Sequence, residues 1–372
     1  MTADVLSDRA LGRATLERQF LLRRSGGTVL GSVGHLVGMQ AQVPLNPYTG
    51  LWSRLEGFGA TDLARPLLDR QVVRIVLMRT TIHLVTAEDA LLLRPLMQPI
   101  LDRELARHPQ FGPALRGIDL EPVLAFARGL FSERPRTGPE LRAAMADRFP
   151  GTDAAALAYA CRNHLALVQV PPRGVWGRSA QVTVTTAEAW LDRPLVADPS
   201  IDQVVLRYLG AFGPASVADV TTWCRLTGLR EVVDRLRPGL RPFRTESGRE
   251  LVDLPDAPRP DAETPAPPRF LPEYDNCLLS HADRSRFVAD PERARLWSRE
   301  LPAQGAVLMD GSVLGPWRVQ RDRDTGAATL VVDHLGAVPK RKAAAVAAEG
   351  RRLLRFLDPE ASAHDVRLED AG

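Results

Sequence analysis

Hydrophobic residues recur with helical spacing over the first two thirds of the chain and alternate with polar residues over the last third. Spacings of three and four residues predict amphipathic helices, whereas β-branched runs and strict alternation predict strands. For the first part of the chain this predicts helices over 8–24, 28–40, 47–55 and 61–69 and two paired strands over 72–77 and 80–85. The predicted fold class is therefore α+β.

The same order of elements returns twice. The second group has predicted helices over 120–131, 139–149 and 154–164 and strands over 165–170 and 181–185; the third has helices over 201–212, 217–224 and 229–236 and strands over 240–245 and 250–254. Thr137 with Glu140 forms a capping box, and Ser216 is an N-cap candidate. Three helices followed by two strands and a glycine-containing loop is the winged-helix order. We therefore expect three tandem winged-helix domains, over 1–115, 116–198 and 199–255.

The last third of the chain follows a different pattern. Residues 256–268 contain five prolines and few apolar residues, which predicts an extended, semi-rigid linker. Beyond it, alternating strands over 269–271, 306–309, 312–319 and 328–332 and a helix over 341–357 predict a small, barrel-like β-domain with a closing helix, over 269–372. Asp310-Gly311 is a tight-hairpin signal, which suits either a plain turn or a wedge that enters a duplex.

Composition narrows the class of protein. With 45% hydrophobic and 25% charged residues and a net charge of +3, the chain resembles a soluble globular protein, and its arginine-rich basic set gives weak support for a nucleic acid partner. Three widely spaced cysteines predict a reducing compartment and no structural zinc. We find neither a signal sequence nor a membrane-length apolar run, which predicts a cytoplasmic protein. We expect no metal, no cofactor and no obligatory protein partner, since tandem modules make a monomer sufficient.

The candidate chemistry centres on Gly38-Met39-Gln40-Ala41-Gln42-Val43-Pro44, at the predicted end of the second helix. One interpretation is that a glutamine caps free carbonyls at the helix C-terminus. The other is that two neutral amides, each a donor and an acceptor, hold a water molecule against a reacting carbon. In that case Met39 and Ala41 would point inward and hold the pair rigid.

Several segments together resemble the AlkZ-type family of bacterial winged-helix DNA glycosylases. Besides the glutamine stretch, the similar segments are Arg79-Thr80-Thr81-Ile82-His83-Leu84, Phe270 to Asn276, Ser280 to Arg284, Asp310-Gly311 and Gly315 to Arg318. They occur in the family's order over nearly the whole chain. The resemblance implies a cofactor-independent glycosylase that excises alkylated bases from double-stranded DNA, with Gln40 and Gln42 as the catalytic Gln-X-Gln element. Gln42 places the chain with the branch associated with interstrand cross-link unhooking.

This chemistry is plausible from the residues themselves. An N7-alkylated purine is already cationic, so its glycosidic bond breaks with little need for a general acid, and the remaining task is to present water to an oxocarbenium-like sugar. A neutral amide pair would also avoid an extra cation near the charged substrate. Lysine is scarce and absent from any recognisable Schiff-base position, which favours monofunctional hydrolysis.

The remaining candidates keep two interpretations each. His83 is either a satisfied, half-buried histidine or, with Arg79, a contact to phosphate or lesion. Asp275, His281, Asp283 and Arg284 form either a structural network, with Asp283 paired to Arg284 or Arg286, or place a carboxylate near the cationic sugar. Arg173, Trp176 and Arg178 predict a wing tip with an exposed aromatic that contacts the DNA minor groove or backbone. The alternative function is a non-enzymatic, DNA-binding regulator built from the same modules.

Overall fold

The computed structural model describes residues 4–288, 304–334 and 336–370, and its fold is mixed α+β. The N-terminal part is largely helical. Its elements are β1 (Asp4–Leu6), α1 (Asp8–Arg18), α2 (Val29–His35), β2 (Met39–Gln40), α3 (Asn46–Arg54), α4 (Ala60–Leu68), β3 (Val72–Val76), β4 (Ile82–Thr86), α5 (Ala87–Leu96), α6 (Gln98–Arg107) and α7 (Phe111–Ala114). A 3₁₀ turn, Met78–Thr80, joins β3 to β4, so the second predicted strand begins later than expected.

Two further groups of helices and strands follow. The first contains α8 (Glu121–Glu133), β5 (Arg136–Thr137), α9 (Gly138–Arg148), α10 (Ala154–His164), β6 (Leu167–Gln169), β7 (Thr183–Thr186) and α11 (Ala187–Leu191); the second contains α12 (Ile201–Phe212), α13 (Val217–Cys224), α14 (Leu229–Leu236), β8 (Arg241–Thr245) and β9 (Glu250–Asp253). Both predicted caps are confirmed: Thr137 forms a capping box with Glu140, and Ser216 forms one with Asp219.

The C-terminal part forms a sheet covered by one long helix. Its elements are β10 (Arg269–Leu271), α15 (Asn276–Leu279), β11 (Gly305–Met309), β12 (Ser312–Arg321), β13 (Ala328–His334), α16 (Lys340–Leu357) and β14 (His364–Asp370). In the described residues the pairing order is β10-β11-β12-β13-β14, and no pairing joins the two outer strands. The sheet is therefore open and packed against α16, and it lacks the barrel-like closure that we expected.

Strand pairing connects groups that are distant in sequence. One six-stranded sheet has the order β2-β4-β3-β6-β7-β5, because β3 pairs with β6 of the following group through Ile75 and Val168. A three-stranded sheet has the order β1-β8-β9. Since the first two hairpins share one sheet, the side chains on its faces are held in a fixed relation to each other.

Helix α1 contacts the proline-rich segment and the hairpin formed by β11 and β12. Arg18 forms a buried ion pair with Asp253 at 2.7 Å, and Arg13 donates to the Thr264 carbonyl at 2.6 Å. Arg13 also pairs with Asp310 at the β11–β12 turn, at 2.8 Å. The wedge interpretation of this hairpin is therefore wrong, because its tip is docked on α1. No helix among the described residues has the length and apolarity that crossing a membrane requires.

Candidate active site

The first glutamine lies on a short strand that follows a reversal of the chain, and the second lies just past the end of that strand. α2 ends at His35, and Gly38 then takes a φ of 92°, where an added Cβ would lie 2.6 Å from Val85 Cγ1. β2 pairs antiparallel with β4, with Gln40 opposite His83. The prediction that the glutamines end a helix is therefore wrong, and so is the helix-capping interpretation. The left-handed glycine turn, rather than the later proline, ends the helix.

Side chains alternate along this stretch as they do in a strand. Met39 and Ala41 are buried in the hydrophobic core, at 6% and 0% exposure, as we predicted. Gln40 and Gln42 therefore face the other way. Gln42 is exposed, and its Oε1 lies 3.4 Å from the Ile82 backbone N, whereas Gln40 is only 7% exposed. β2 ends at Gln40 and Gln42 lies in the bend that follows it, so the two amides differ in their access to solvent.

The amide of Gln40 is held by Arg79. Arg79 Nη2 donates to Gln40 Oε1 and to Asn276 Oδ1, each at 2.7 Å, and Nη1 donates to the Trp223 carbonyl at 2.8 Å. Because a guanidinium only donates, the Gln40 atom that faces it must be the oxygen, and the NH₂ end of the amide points elsewhere. Arg79 and Thr80 both have positive φ, 56° and 60°, a backbone strain that the surrounding contacts must sustain.

Arg79 carries a positive charge that no carboxylate of the described residues pairs with. Burial, with the nearby charges of Arg225 and Arg284, lowers the pKa of Arg79 to about 10, so the group stays protonated at neutral pH. The expectation that the site avoids an extra cation is therefore wrong. A guanidinium contacts the first glutamine directly, and two further arginines lie near it.

His83 completes this side of the site as a neutral group. It is fully buried rather than half-buried, and burial, followed by the charge of Arg79, lowers its pKa to about 3. His83 Nδ1 donates to the Thr81 carbonyl at 3.0 Å, which leaves Nε2 as an acceptor 3.5 Å from Arg79 Nη2. In this arrangement His83 supports Arg79 and is closed off from solvent.

A second guanidinium, that of Arg54, lines the same crevice as Gln40. Arg54 forms a two-pronged ion pair with Asp275, at 2.8 and 2.9 Å, and also donates to Gln19 Oε1 at 3.2 Å. Asp275 in turn accepts from the Cys277 backbone N at 2.9 Å. Both charged side chains are nearly fully buried. Asp275 is thus part of a buried network that links α3 to the C-terminal segment.

Two spaces meet at the glutamine strand. A crevice of about 10 Å³ beside Gln40 is lined in part by Arg54, Asp275 and Asn276, and it is close in size to a single water molecule. Gln42 instead lines the edge of an open groove of about 470 Å³. The crevice beside Gln40 is thus small and polar, and the groove beside Gln42 is large.

Comparison with known proteins identifies the family. The model of the family described as DNA glycosylase AlkZ-like matches residues 33–356, most of the chain. The chain belongs to the AlkZ-like DNA glycosylase family. This confirms the resemblance drawn from the motifs and makes the protein a DNA repair enzyme that acts on N-glycosyl bonds.

Two relatives of this AlkZ-like glycosylase come from Streptomyces sahachiroi. One is an interstrand DNA cross-link repair glycosylase, 24% identical over 343 residues that cover 82% of this chain and 85% of that protein. The other is the solved structure of the DNA glycosylase AlkZ, with a TM-score of 0.78 and 21% identity over 98% of this chain and 100% of that one. The structural match shows a shared fold.

The other polar candidates of the C-terminal segment do not reach the glutamines by any hydrogen bond of the described residues. His281 is buried and bonds the Phe212 carbonyl at 3.0 Å, and burial lowers its pKa to about 3. Asp283 pairs with Arg249 at 3.0 Å, so the predicted partners Arg284 and Arg286 are wrong. Arg284 lies near Arg79, as its effect on the Arg79 pKa indicates.

The loop between β6 and β7 also differs from prediction. Trp176 is not an exposed aromatic: its ring packs 5.0 Å from Tyr48 and 5.1 Å from Phe356. Arg173 donates to the Ala180 carbonyl at 3.0 Å within the same loop, and only Arg178 is fully exposed. The rings of Tyr48 and Phe356 come from distant parts of the chain, so local sequence could not reveal this packing.

Sequence reasoning missed Arg54 as a neighbour of the catalytic candidate and did not single out Asn276. Local sequence gave no signal for the burial of Arg54, because it ends α3, where a basic residue is common. For Asn276 the only signal was its place in a motif shared with the family. Among the described residues no group of three or more His, Cys, Asp or Glu side chains could hold a metal ion.

Proposed function

We propose that this protein hydrolyses the N-glycosidic bond of N7-alkylated purines in double-stranded DNA, including purines that link the two strands, and that Gln40 and Gln42 position the attacking water. The observation that carries the proposal is that Gln40 lines a water-sized crevice and is held by Arg79, while Gln42, two residues further along the chain, is exposed at an open groove. The alternative of a non-enzymatic regulator has less support, since it has no need for an amide pair at this place and the chain belongs to a glycosylase family.

The two glutamines would have different tasks. Arg79 occupies Gln40 Oε1, so Gln40 would offer its NH₂ group as a donor to the water oxygen. Gln42, exposed and only weakly engaged by Ile82, would accept a proton of the same water through Oε1. Two residues along a strand span about 7 Å, a separation that two glutamine side chains can bridge with one water between them. The remaining lone pair of the water would then face the anomeric carbon.

The basic groups near Gln40 suit a nucleic acid. The charges of Arg225 and Arg284 lower the pKa of Arg79, and the groups that accept hydrogen bonds from Arg79 are neutral. We propose that this positive region attracts the phosphates that flank the damaged nucleotide, which draws the lesion to the strand. A positively charged region placed at the phosphates rather than at the sugar is compatible with an oxocarbenium-like intermediate.

Monofunctional hydrolysis is the form of the reaction that the residues favour. A glycosylase with lyase activity uses an amine that forms a Schiff base with the sugar. The only lysines of the sequence are Lys340 and Lys342, and neither lines the crevice or the groove. We therefore propose that the product is an abasic site in an intact strand.

We also propose that the recurring helix and strand groups are three winged helices, over 1–115, 116–198 and 199–255, which hold the DNA. The segment 256–268 and the β-domain over 269–372 follow. The repeated order of three helices and two strands supports this division. A monomer bound to double-stranded DNA is the proposed functional unit.

The test is base release from a duplex that contains 7-methylguanine. Gln40→Ala and Gln42→Ala should each slow release under single-turnover conditions by at least about a hundredfold, the usual range for loss of a group that handles the attacking proton. Gln203→Ala, on an exposed helix position, is the matched control. Wild-type rates in both glutamine variants, with duplex binding intact, would overturn the assignment.

A further inference from the structure

Helix α16 of the C-terminal part concentrates positive charge. Within Lys340–Leu357 six residues are basic and one, Glu349, is acidic, which gives this helix a net charge of +5 against +3 for the whole chain. The rest of the chain is therefore net negative. Both lysines of the sequence also lie in this helix. A charge asymmetry of this size indicates a surface that binds a polyanion.

The two sides of α16 differ in what they contact. On one side Val346, Leu353 and Leu354 are buried in the core that also contains Met39 and Phe270. The opposite side, which we call the outer face, consists of exposed residues at helical spacings of three and four: Arg341, Ala344, Ala345, Ala348, Arg351, Arg352 and Arg355. Because the apolar side is already covered, this helix has no free apolar stripe for a bilayer or a partner helix.

The cations of the outer face are largely free to bind a partner. Among the described residues Arg341, Arg351 and Arg355 make no ion pair, whereas Arg352 pairs with Glu349 at 3.1 Å. Arg341 and Arg351 are ten residues apart, about 15 Å along the helix. Only alanines occupy the outer face between them, so a broad, anionic partner can lie across the middle and contact the arginines at both ends.

The first turn of α16 places cations where the helix itself disfavours them. Lys340, Arg341 and Lys342 begin the helix, this turn contains no acidic residue, and Pro339 gives no side-chain cap. The positive end of the helix dipole lies here, so each cation lowers helix stability. Lys342 regains part of this loss from Asp310, at 3.8 Å. Helix formation thus does not explain the three cations, whereas a bound polyanion would.

The outer face is separate from the candidate active site. No residue of α16 lines the crevice beside Gln40 or the groove beside Gln42. The outer face also points away from the core in which α16 and Met39 meet. A duplex whose lesion lies at the glutamines therefore does not need to cover this helix.

We propose that the outer face of α16 is a second DNA-binding surface, which contacts the phosphates of a duplex segment other than the one that holds the lesion. The 18 residues of the helix extend about 27 Å, and duplex DNA carries one negative charge per about 1.7 Å of its axis, so one segment offers phosphates to every exposed arginine. Arginine and alanine in this arrangement read no base sequence.

A second surface would help the enzyme to search for damage. A protein that holds two segments at once can pass from one to the other without first dissociating into solution. The inference rests on the proposed function for the segment at the glutamines, but binding at the outer face requires no base release. The two proposals can therefore fail separately.

The experiment uses the full chain and a lesion-free duplex of about 12 base pairs, too short to wrap from one surface to the other. Sedimentation counts the duplexes bound per protein, and the dissociation rate of a labelled duplex is measured against rising concentrations of unlabelled duplex. The test variant combines three changes on the outer face: Arg341→Gln, Arg351→Gln and Arg355→Gln. The matched control removes the same charge from exposed arginines on three separate elements: Arg65→Gln, Arg107→Gln and Arg323→Gln. Thermal unfolding reports whether each variant folds.

We expect wild type to bind two duplexes and to release the labelled duplex at a rate that rises with competitor concentration. The outer-face variant should bind the second duplex at least about tenfold more weakly, because three phosphate contacts are lost, and its dissociation rate should not depend on competitor. The matched control should retain both wild-type properties.

Three results would overturn the second surface. They are a single duplex per wild-type protein, wild-type behaviour in the outer-face variant, and equal losses in the matched control, which would indicate bulk charge. Vesicles that contain phosphatidylserine and an acidic peptide are tested in place of the second duplex; binding of either one without binding of a second duplex would assign the face to that partner instead. Two bound duplexes with no release of 7-methylguanine from alkylated DNA would overturn only the proposed function.

Discussion

Two guanidinium groups lie near Gln40, and their partners differ in charge. Arg54 is paired with the carboxylate of Asp275, whereas the partners of Arg79 are neutral: the amides of Gln40 and Asn276, a backbone carbonyl and the ring of His83. The partners Asp275 and Asn276 are adjacent in sequence, so one turn of the chain supplies an acid to one arginine and an amide to the other. Both guanidinium groups are largely buried, but among the described residues only the charge of Arg54 is balanced by a carboxylate.

The difference separates a structural contact from a functional one. A buried ion pair with good geometry mainly avoids the penalty of an unpaired charge, and it leaves nothing to offer a ligand. A guanidinium bound to neutral acceptors fixes their orientation and still projects a positive field toward a polyanion. We therefore expect substitutions on the Arg54 side to affect stability and substitutions on the Arg79 side to affect base release.

The largest expected effect is on the Arg54 side. Asp275→Asn keeps the shape of the side chain but removes the charge opposite Arg54, and we expect the free energy of unfolding to fall by about 3–5 kcal/mol. Urea denaturation measures this loss. Asp202→Asn, which breaks the exposed pair with Arg235, is the control and should change little. A loss no larger than that of the control would show that the Arg54 pair has no structural role.

On the Arg79 side the expected effect is catalytic. Arg79→Met frees Gln40 Oε1 and lets the amide rotate, so release of 7-methylguanine should fall by about tenfold to a hundredfold, mainly in kcat. Arg79→Lys keeps the charge but cannot bridge Gln40, Asn276 and Trp223 together, so it should restore only part of the rate. Stability should change less than in Asp275→Asn, because no carboxylate loses its partner. Equal losses of stability in the two variants, with base release intact, would remove the distinction.

The sequence was informative wherever the signal was local. Amphipathic spacing located many of the helices, although α5, α6, α7 and α11 were not predicted, and short motifs located the glutamine pair and the family. The end of α2 was missed although its signal, Gly38, was present, because a glycine after an apolar run suits several kinds of turn. The fourteenth strand, His364–Asp370, was also missed, since its charged residues alternate with few apolar ones.

The partners of the site could not be predicted in the same way. Arg79 and Asn276 are 197 residues apart, and Arg54 and Asp275 are 221 apart. Which of two neighbouring residues meets which arginine is set by how the C-terminal segment packs on β2 and α3. Composition does not indicate which of the two residues contacts which arginine. The pairing of hairpins from different groups into one sheet is a contact of the same kind.

Acid should act on the Arg79 side more than on the Arg54 side, because His83 lies beside Arg79. The folded-state pKa of His83, about 3, is far below the usual 6.5, so the unfolded chain takes up a proton first as pH falls. This histidine should therefore lower stability progressively below about pH 6.5, by about 2 kcal/mol between pH 7 and pH 5. His281, with a pKa also lowered to about 3, should contribute similarly.

The measurement is chemical denaturation of wild type and His83→Gln at the two pH values. Glutamine cannot take up a proton, so the variant should lose about half as much stability on acidification as wild type. His334→Gln, at the partly exposed end of β13, controls for unspecific effects. Acid losses that are the same in wild type and His83→Gln would show that His83 is not held neutral by its surroundings.

The smallest expected effect comes from giving Arg79 a carboxylate partner, as Arg54 already has. Asn276→Asp would place a carboxylate 2.7 Å from Arg79 and convert its contacts into a pair like that of Arg54 and Asp275. Because one positive charge near Gln40 is then neutralised, the slope of log Kobs against log salt for duplex binding should become shallower by about one. Gln40 remains bound to Arg79, so base release should fall by less than about tenfold, well short of the Arg79→Met loss. An unchanged salt slope would mean that Arg79 serves Gln40 alone and that the phosphates are bound elsewhere.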